Sequence, residues 1–304
     1  MNREEIFKTL SHYKKVLEEM GYNVIYIGLY GSQNYNLDDE FSDIDTKAII
    51  LPNLHDIIFR NVTSKVVECE TGNIDVKDLL TFYDVIKKGN YSYVEAINTE
   101  YSIGDKYIKN LFSQIQPNLK SFLGAMYEKR KALTHEYPSK HEEFEKWGFD
   151  PKQYHHIVRL LDLLEYNCQN NTNKSFLKYD EVISQQMKNL KRNSINGKTF
   201  YSKGDAETLA DECIEKAKHL IAEDYKYEPI NIDEEINAYI EKHIKLQIVN
   251  DNPVTYAREV RTFDSQIPKK DIEKFSVLKE YQGKDISYIV YESIDILWGG
   301  RWRK

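Results

Sequence analysis

The chain has 304 residues with 41% hydrophobic content, enough for buried cores, and only 13 Gly and 7 Pro, which excludes collagen-like, elastic and wholly disordered chains. Lys and Arg total 42 against 49 Asp and Glu, a formal net charge of −7, so no global positive field gathers nucleic acid and any polyanion must meet a local patch. Cys69, Cys168 and Cys213 are odd in number and far apart, without CxxC spacing, which argues against a disulfide framework or a zinc knuckle and predicts reduced, buried thiols.

In chain order, residues 3–20 place Ile6, Leu10, Tyr13, Val16 and Leu17 at helical spacing, an amphipathic helix closed by Gly21. Residues 23–30 form a β-rich run that stops at Gly31-Ser32, with Ser32 suited to cap a following helix. After an acidic loop, residues 44–51 read as a second, mostly buried strand ended by Pro52. Residues 64–70 and 74–79 flank Thr71-Gly72-Asn73 as a hairpin, and a helix is predicted over 80–88. Windows at 108–133, 150–168, 179–192, 205–224 and 232–248 then show helical periodicity, interrupted at Pro229. The expected organisation is α/β over residues 1–105, helical over 106–249, and a C-terminal extension over 250–304 whose short apolar runs specify no fold. No apolar stretch approaches the roughly 20 residues of a membrane helix. The first residues are acidic and lack an apolar leader core, so a cytoplasmic protein without a membrane partner is expected. Oligomeric state leaves no trace in the sequence.

The chemistry concentrates in Gly31-Ser32, ten intervening residues, and Asp43-Ile44-Asp45. Two carboxylates at i and i+2 on a strand share one face, about 6–7 Å apart along the chain, while Ile44 points into the opposite layer. Such oxygens suit Mg²⁺, which keeps waters and shares phosphate oxygens with a substrate, and a pair of ions about 4 Å apart can assist an in-line displacement. Gly31 permits close backbone approach, and the turn behind it offers amides to phosphate. Asp75 alternates with Ile74 and Val76 and is the expected third carboxylate, ligand to the catalytic ion and general base, with Asp78 as its rival.

These residues resemble the DNA polymerase beta-type nucleotidyltransferase superfamily, whose signature is Gly-Ser, a spacer, Asp-x-Asp and a later strand Asp. The match covers residues 26–97. Within it, GSQNYNL with SDIDTKAI, and then IDVKDLLTFYDVIKKGNYSYVEAI ending at Gly89-Asn90 and Glu95, is similar to the predicted nucleotidyltransferases associated with RNA repair in bacteria and phages. The resemblance implies an α/β (α+β) fold with a small mixed-sheet palm flanked by helices and followed by a mainly helical domain. It also implies two Mg²⁺ ions on Asp43, Asp45 and Asp75, replaceable by Mn²⁺, and transfer of a nucleoside monophosphate from a nucleoside triphosphate to an acceptor hydroxyl on RNA or tRNA. A protein or small-molecule acceptor, and a non-catalytic nucleotide- or RNA-binding relative, are the alternatives. One departure is Asn36, where the family often has a second small residue; Asn tolerates left-handed backbone, so the turn is expected to survive.

Elsewhere, Lys152, His156 and Arg159 fall at i, i+4 and i+7 on one helical stripe that could face the triphosphate, the alternative being an ordinary polar outer face; the branch it resembles tends to carry a comparable Lys/His/Arg helix. His155 points away from that stripe. Lys47 shares a strand face with Asp43 and Asp45 and so could counter phosphate charge, but a solubilising lysine at the sheet margin is the expected reading, while Asp38, Asp39 and Glu40 are expected to be hydrated loop residues. Lys129-Arg130-Lys131, Lys188 with Lys191-Arg192, and Arg301-Trp302-Arg303-Lys304 are the candidate acceptor-binding clusters. Trp147-Gly148-Phe149 before Asp150-Pro151 reads as the entry to a helix.

Overall fold

The computed structural model describes residues 2–250, apart from Phe41 and residues 196–197. The chain divides into two compact units, one of residues 2–51 with 63–230, the other of residues 52–62 with the segment from Asn231 onward. The helices between residues 106 and 230 thus share a unit with the sheet.

The first unit is built on a mixed five-stranded sheet of β1 (Asn23–Leu29), β2 (Thr46–Leu51), β3 (Ser64–Cys69), β4 (Gly72–Asp78) and β5 (Ser102–Gly104), in the order β3-β4-β2-β1-β5. β2 and β4 run parallel and the other pairs antiparallel. This confirms the expected α/β class. The central strands are buried along nearly their whole length, so they read as continuous apolar runs, whereas the edge strand β3 is half open.

Helix α1 (Arg3–Glu19) starts at Asn2, whose side chain accepts from the Glu5 amide while Glu5 returns the bond, and it buries Ile6, Leu10, Tyr13 and Leu17 as predicted. Those residues pack with Ile27, Leu29, Ala48, Ile50, Ile74 and Val76 into one core. On the other face of β1, α4 (Tyr91–Asn98) lies so close that a Cβ on Gly28 would come within 1.9 Å of the Ala96 carbonyl oxygen. Preceding α4 is α3 (Leu79–Ile86), and α5 (Lys106–Phe112) follows β5.

The helical part packs α6 (Leu119–Leu133), α8 (Pro151–Asn170) and α10 (Lys203–Leu220) around Phe122, Met126, Ile157, Leu160, Leu164, Ala210 and Ile214, with α7 (His141–Trp147) and α9 (Glu181–Lys191) beside them. Asp150 caps α8 and Pro151 opens it, as residues 147–151 predicted, and Gly148 ends α7 in the left-handed region. A two-residue hairpin of β6 (Ser194–Ile195) and β7 (Lys198–Thr199) follows α9. The second unit contains α2 (Leu54–Phe59) and α11 (Asp233–Asn250), whose Ile236, Ile240 and Ile244 recur at four-residue spacing and are buried.

The structure departs from the sequence reading at several points. The window 108–133 is two helices, because Pro117 in the connection lacks the N–H a continuous helix needs. The second strand starts at Thr46, which leaves Asp43 and Asp45 in the extended segment leading into it. Cys168 is exposed near the end of α8, while Cys69 and Cys213 are half-buried, and all three are free. No helix among the described residues is long and apolar enough to cross a membrane. Residues 251–304, including the Arg301 to Lys304 cluster, lie outside the described residues.

Candidate active site

The C-terminal end of β1 meets the N-terminal ends of β2 and β4, and the sequence-predicted residues gather there. Gly31 has φ +110°, where L side chains are strained, and the next four residues form a single 3-10 turn, Ser32–Tyr35. Ser32 is the first residue of that turn and not its cap, and Asn36 ends it at φ 61° in the left-handed region that Asn tolerates. Buried Glu95 of α4 holds the turn from beneath. Its Oε1 accepts from the Gly31 amide at 2.7 Å and from Asn34 at 3.0 Å, and its Oε2 accepts from the Tyr35 hydroxyl at 2.9 Å. Burial pushes the Glu95 carboxyl up, against the pull of the Arg159 guanidinium and these three donors. The Gly31 amide is therefore engaged internally, and Glu95 is the supporting residue that sequence reasoning did not assign. Its one signal was its place at the end of the Gly89-Asn90…Glu95 stretch.

Asp43 is exposed, and its carboxylate has no donor among the described residues. Asp45, half-buried, accepts the Asn73 amide on Oδ1 at 3.3 Å, and its carbonyl takes the Tyr30 amide at 3.0 Å. Burial raises the Asp45 carboxyl and the neighbouring Asp43 charge raises it further, while the Asn73 amide and Lys152 pull it down. Two like charges in reach of each other at the mouth of a sheet form a site that a cation would relieve.

Asp75 sits differently. The parallel register sets it beside Lys47. Its Oδ2 accepts from Lys47 Nζ at 3.1 Å and from the Tyr93 hydroxyl at 2.6 Å, and Lys77 Nζ lies 3.3 Å from Oδ1. Burial alone would raise its carboxyl, but Lys47, Tyr93 and Lys77 together hold it below the ordinary range. Lys47 is not at a sheet margin: it is 5% exposed, clamped between the rings of Tyr30 and Tyr93 at 4.2 and 4.0 Å. Asp78, the rival ligand, is the N-cap of α3, accepting from the Leu80 and Thr81 amides and from the Thr63 amide. Asp39 is no hydrated loop residue either, since it pairs with Arg192 at 3.2 Å and Lys191 at 3.7 Å.

Helix α8 supplies the opposite charge. Arg159 is buried with its guanidinium stacked 3.9 Å from the Tyr35 ring centroid, directly behind the Gly31 turn, and Lys152 lies near enough for Asp45 to feel its charge. The structure thus sets Arg159 behind the Gly31 turn and Lys152 within charge range of Asp45, while His156 lies within charge range of Arg159 and Lys152. Lys129 of α6 and Lys191 of α9 join them: burial lowers the pKa of both ammoniums, and Lys152 lowers both further. Three buried nitrogens there, His155 Nδ1, His156 Nδ1 and Arg159 Nε, have no hydrogen-bond partner. His155 is accordingly part of this basic wall, with burial first, then Arg159, Lys191 and Lys152, depressing its imidazole to about 3. Arg130, by contrast, is bound by Asp211 through two hydrogen bonds of 2.7 and 3.0 Å and takes no part.

The donor chemistry fits Mg²⁺ in part. Asp43 and Asp45 offer hard oxygens with room for water and phosphate, as Mg²⁺ prefers, whereas the oxygens of Asp75 are already met by two ammoniums and a phenol. Among the described residues, no group of three or more His, Cys, Asp and Glu side chains converges as a metal-holding cluster. No family model matches the chain, and no curated protein matches it.

Proposed function

We propose that the protein is a magnesium-dependent nucleotidyltransferase that moves a nucleoside monophosphate from a nucleoside triphosphate to an acceptor hydroxyl on RNA or tRNA. The observation that carries this reading is the position of Lys152, whose charge reaches Asp45 of the acidic pair Asp43 and Asp45 as well as a basic cluster. That cluster is Lys129, His155, His156, Arg159 and Lys191, three of whose buried nitrogens have no hydrogen-bond partner among the described residues. A polyphosphate carrying a divalent cation brings each set its opposite charge. The cation, when bound, neutralises phosphate charge and favours an ionised attacking oxygen. Lys152 and Arg159 orient the polyphosphate, and their charges stabilise the departing diphosphate. The Gly31 turn, held by Glu95, keeps backbone close to that group without a side chain in the way.

The test is incubation of the protein with each α-labelled nucleoside triphosphate, Mg²⁺ or Mn²⁺, and total cellular RNA, proteins or metabolites. Label entering RNA with the wild type and not with Asp45→Asn is the expected result. No transfer from any of the nucleotides would overturn the reading. Nucleotidylation of a protein or small molecule is the second reading, favoured by the engagement of Arg130 with Asp211 and Glu207, which takes one cation out of the RNA-binding clusters. In that case label moves into a non-RNA acceptor and is insensitive to added RNA.

A further inference from the structure

We infer that Asp75 is the counter-ion of two lysines and not a metal ligand, so that the centre holds one divalent cation, on Asp43 and Asp45. The inference rests on the nucleotidyltransferase reading for the existence of that cation and goes beyond it in assigning the number of ions and the task of Asp75.

Strand register is the first argument. Thr46 pairs with Ile74 and Lys47 with Asp75, so Asp45 falls beside Asn73, whose amide it accepts. Asp75 therefore lies one dipeptide, about 6–7 Å, further along the sheet than the neighbour of Asp45, and Asp43 is displaced in the opposite direction. Occupancy is the second. Lys47 and Tyr93 take Oδ2 and Lys77 takes Oδ1, with Lys77 itself anchored on Ser64 Oγ at 2.7 Å. Lys47 cannot readily withdraw, because its ammonium lies between two tyrosine faces and its side chain is enclosed. Charge is the third. Lys47 and Lys77 both face the one carboxylate, so its charge is already met and offers a divalent cation little attraction. Burial lowers the Lys47 ammonium, and Asp75 and Glu95 together keep it charged.

The experiment is titration of the full chain with Mn²⁺ in the absence of nucleotide, read by electron paramagnetic resonance, with circular dichroism melting to report folding. The variants are Asp45→Asn, Asp75→Asn and the double change Lys47→Met with Asp75→Leu, which removes both charges if the single change fails to fold. The expected result is one Mn²⁺ per chain, weakened at least about tenfold by Asp45→Asn, less by Asp75→Asn, and altered by less than about threefold in the folded double variant, which removes one charge of each sign. Weakening by the double variant as large as that from Asp45→Asn, or two Mn²⁺ bound per wild-type chain, would overturn the inference while leaving the nucleotidyltransferase reading intact. A wild type that binds no Mn²⁺ without nucleotide would overturn the inference alone.

Discussion

Asp75 meets three donors at once, and each comes from a different place: Lys47 from β2, Tyr93 from α4 and Lys77 from its own strand. Removing the carboxylate leaves the enclosed Lys47 without a counter-charge, so Asp75→Ala is expected to destabilise the protein by about 3–5 kcal/mol, measured by urea unfolding without metal. A carboxylate repelled by other acids in an empty metal site would give the opposite sign, because its removal relieves like-charge strain. Alternation along residues 73–77 correctly sets Asp75 apart from Ile74 and Val76, which are fully buried. What alternation does not contain is which residue of another strand stands opposite. Lys47 and Asp75 are 28 residues apart, and a shift of two in register would have set Asp75 beside Asp45 instead. The rival Asp78 is set aside by its own neighbours: a carboxylate just before a helix is as good a cap as a ligand, and here four donors claim it.

Helix α8 is the element that converts a spacing into a site. Its apolar residues, Ile157, Leu160, Leu161 and Leu164 among them, bury it in the helical core. The stripe at Lys152, His156 and Arg159 is left toward the Gly31 turn. The cost of this placement is a set of imidazoles held neutral among cations. His155 lies against Arg159, Lys191 and Lys152, and His156 against Arg159, His155, Lys129 and Lys152. Their folded-state values lie below the ordinary 6.5, so the unfolded chain takes up the proton first. Stability is then complete above about pH 6.5 and is lost as the pH falls below it, by up to about 1.4 kcal/mol per pH unit for each histidine. Urea midpoints measured from pH 7.5 down to pH 5 should fall accordingly. His155→Gln should flatten that slope, and so should added tripolyphosphate, because an anion among Lys129, Lys152, Arg159 and Lys191 lets the imidazoles charge. The i, i+4, i+7 stripe was legible as a pattern; its burial was not, because the same spacing serves an exposed polar face equally well.

At the scale of the whole molecule, a chain with a net charge of −7 keeps a cluster of lysines around Lys152. These lysines come from α6, α8 and α9, so the runs read as separate acceptor-binding clusters divide their labour: Lys129 and Lys191 lie within charge range of Lys152, Arg130 ties α6 to α10 through Glu207 and Asp211, and Lys191 and Arg192 pair with Asp39. A ligand that binds only this folded assembly raises its stability by mass action, about 2.7 kcal/mol at a concentration 100 times the dissociation constant. Thermal melts with a nucleoside triphosphate and Mg²⁺ should therefore shift upward. The double change Lys152→Ala with Lys191→Ala should abolish most of that shift while leaving the unliganded midpoint nearly unchanged, since it removes repulsion from the wall along with the contacts.

The amino-acid sequence by itself determined the helices and strands, the faces they bury, the hairpin around Gly72 and the tolerance of Asn36 for its left-handed turn, because periodicity and backbone preference act over a few neighbouring residues. Tertiary structure decided which charge each charge meets. The engagement of Gly31 by Glu95, of Asp75 by Lys47 and Lys77, and of Asp39 by Lys191 and Arg192 depends on through-space proximity between distant segments, and electrostatic energy follows distance and burial, not separation along the chain.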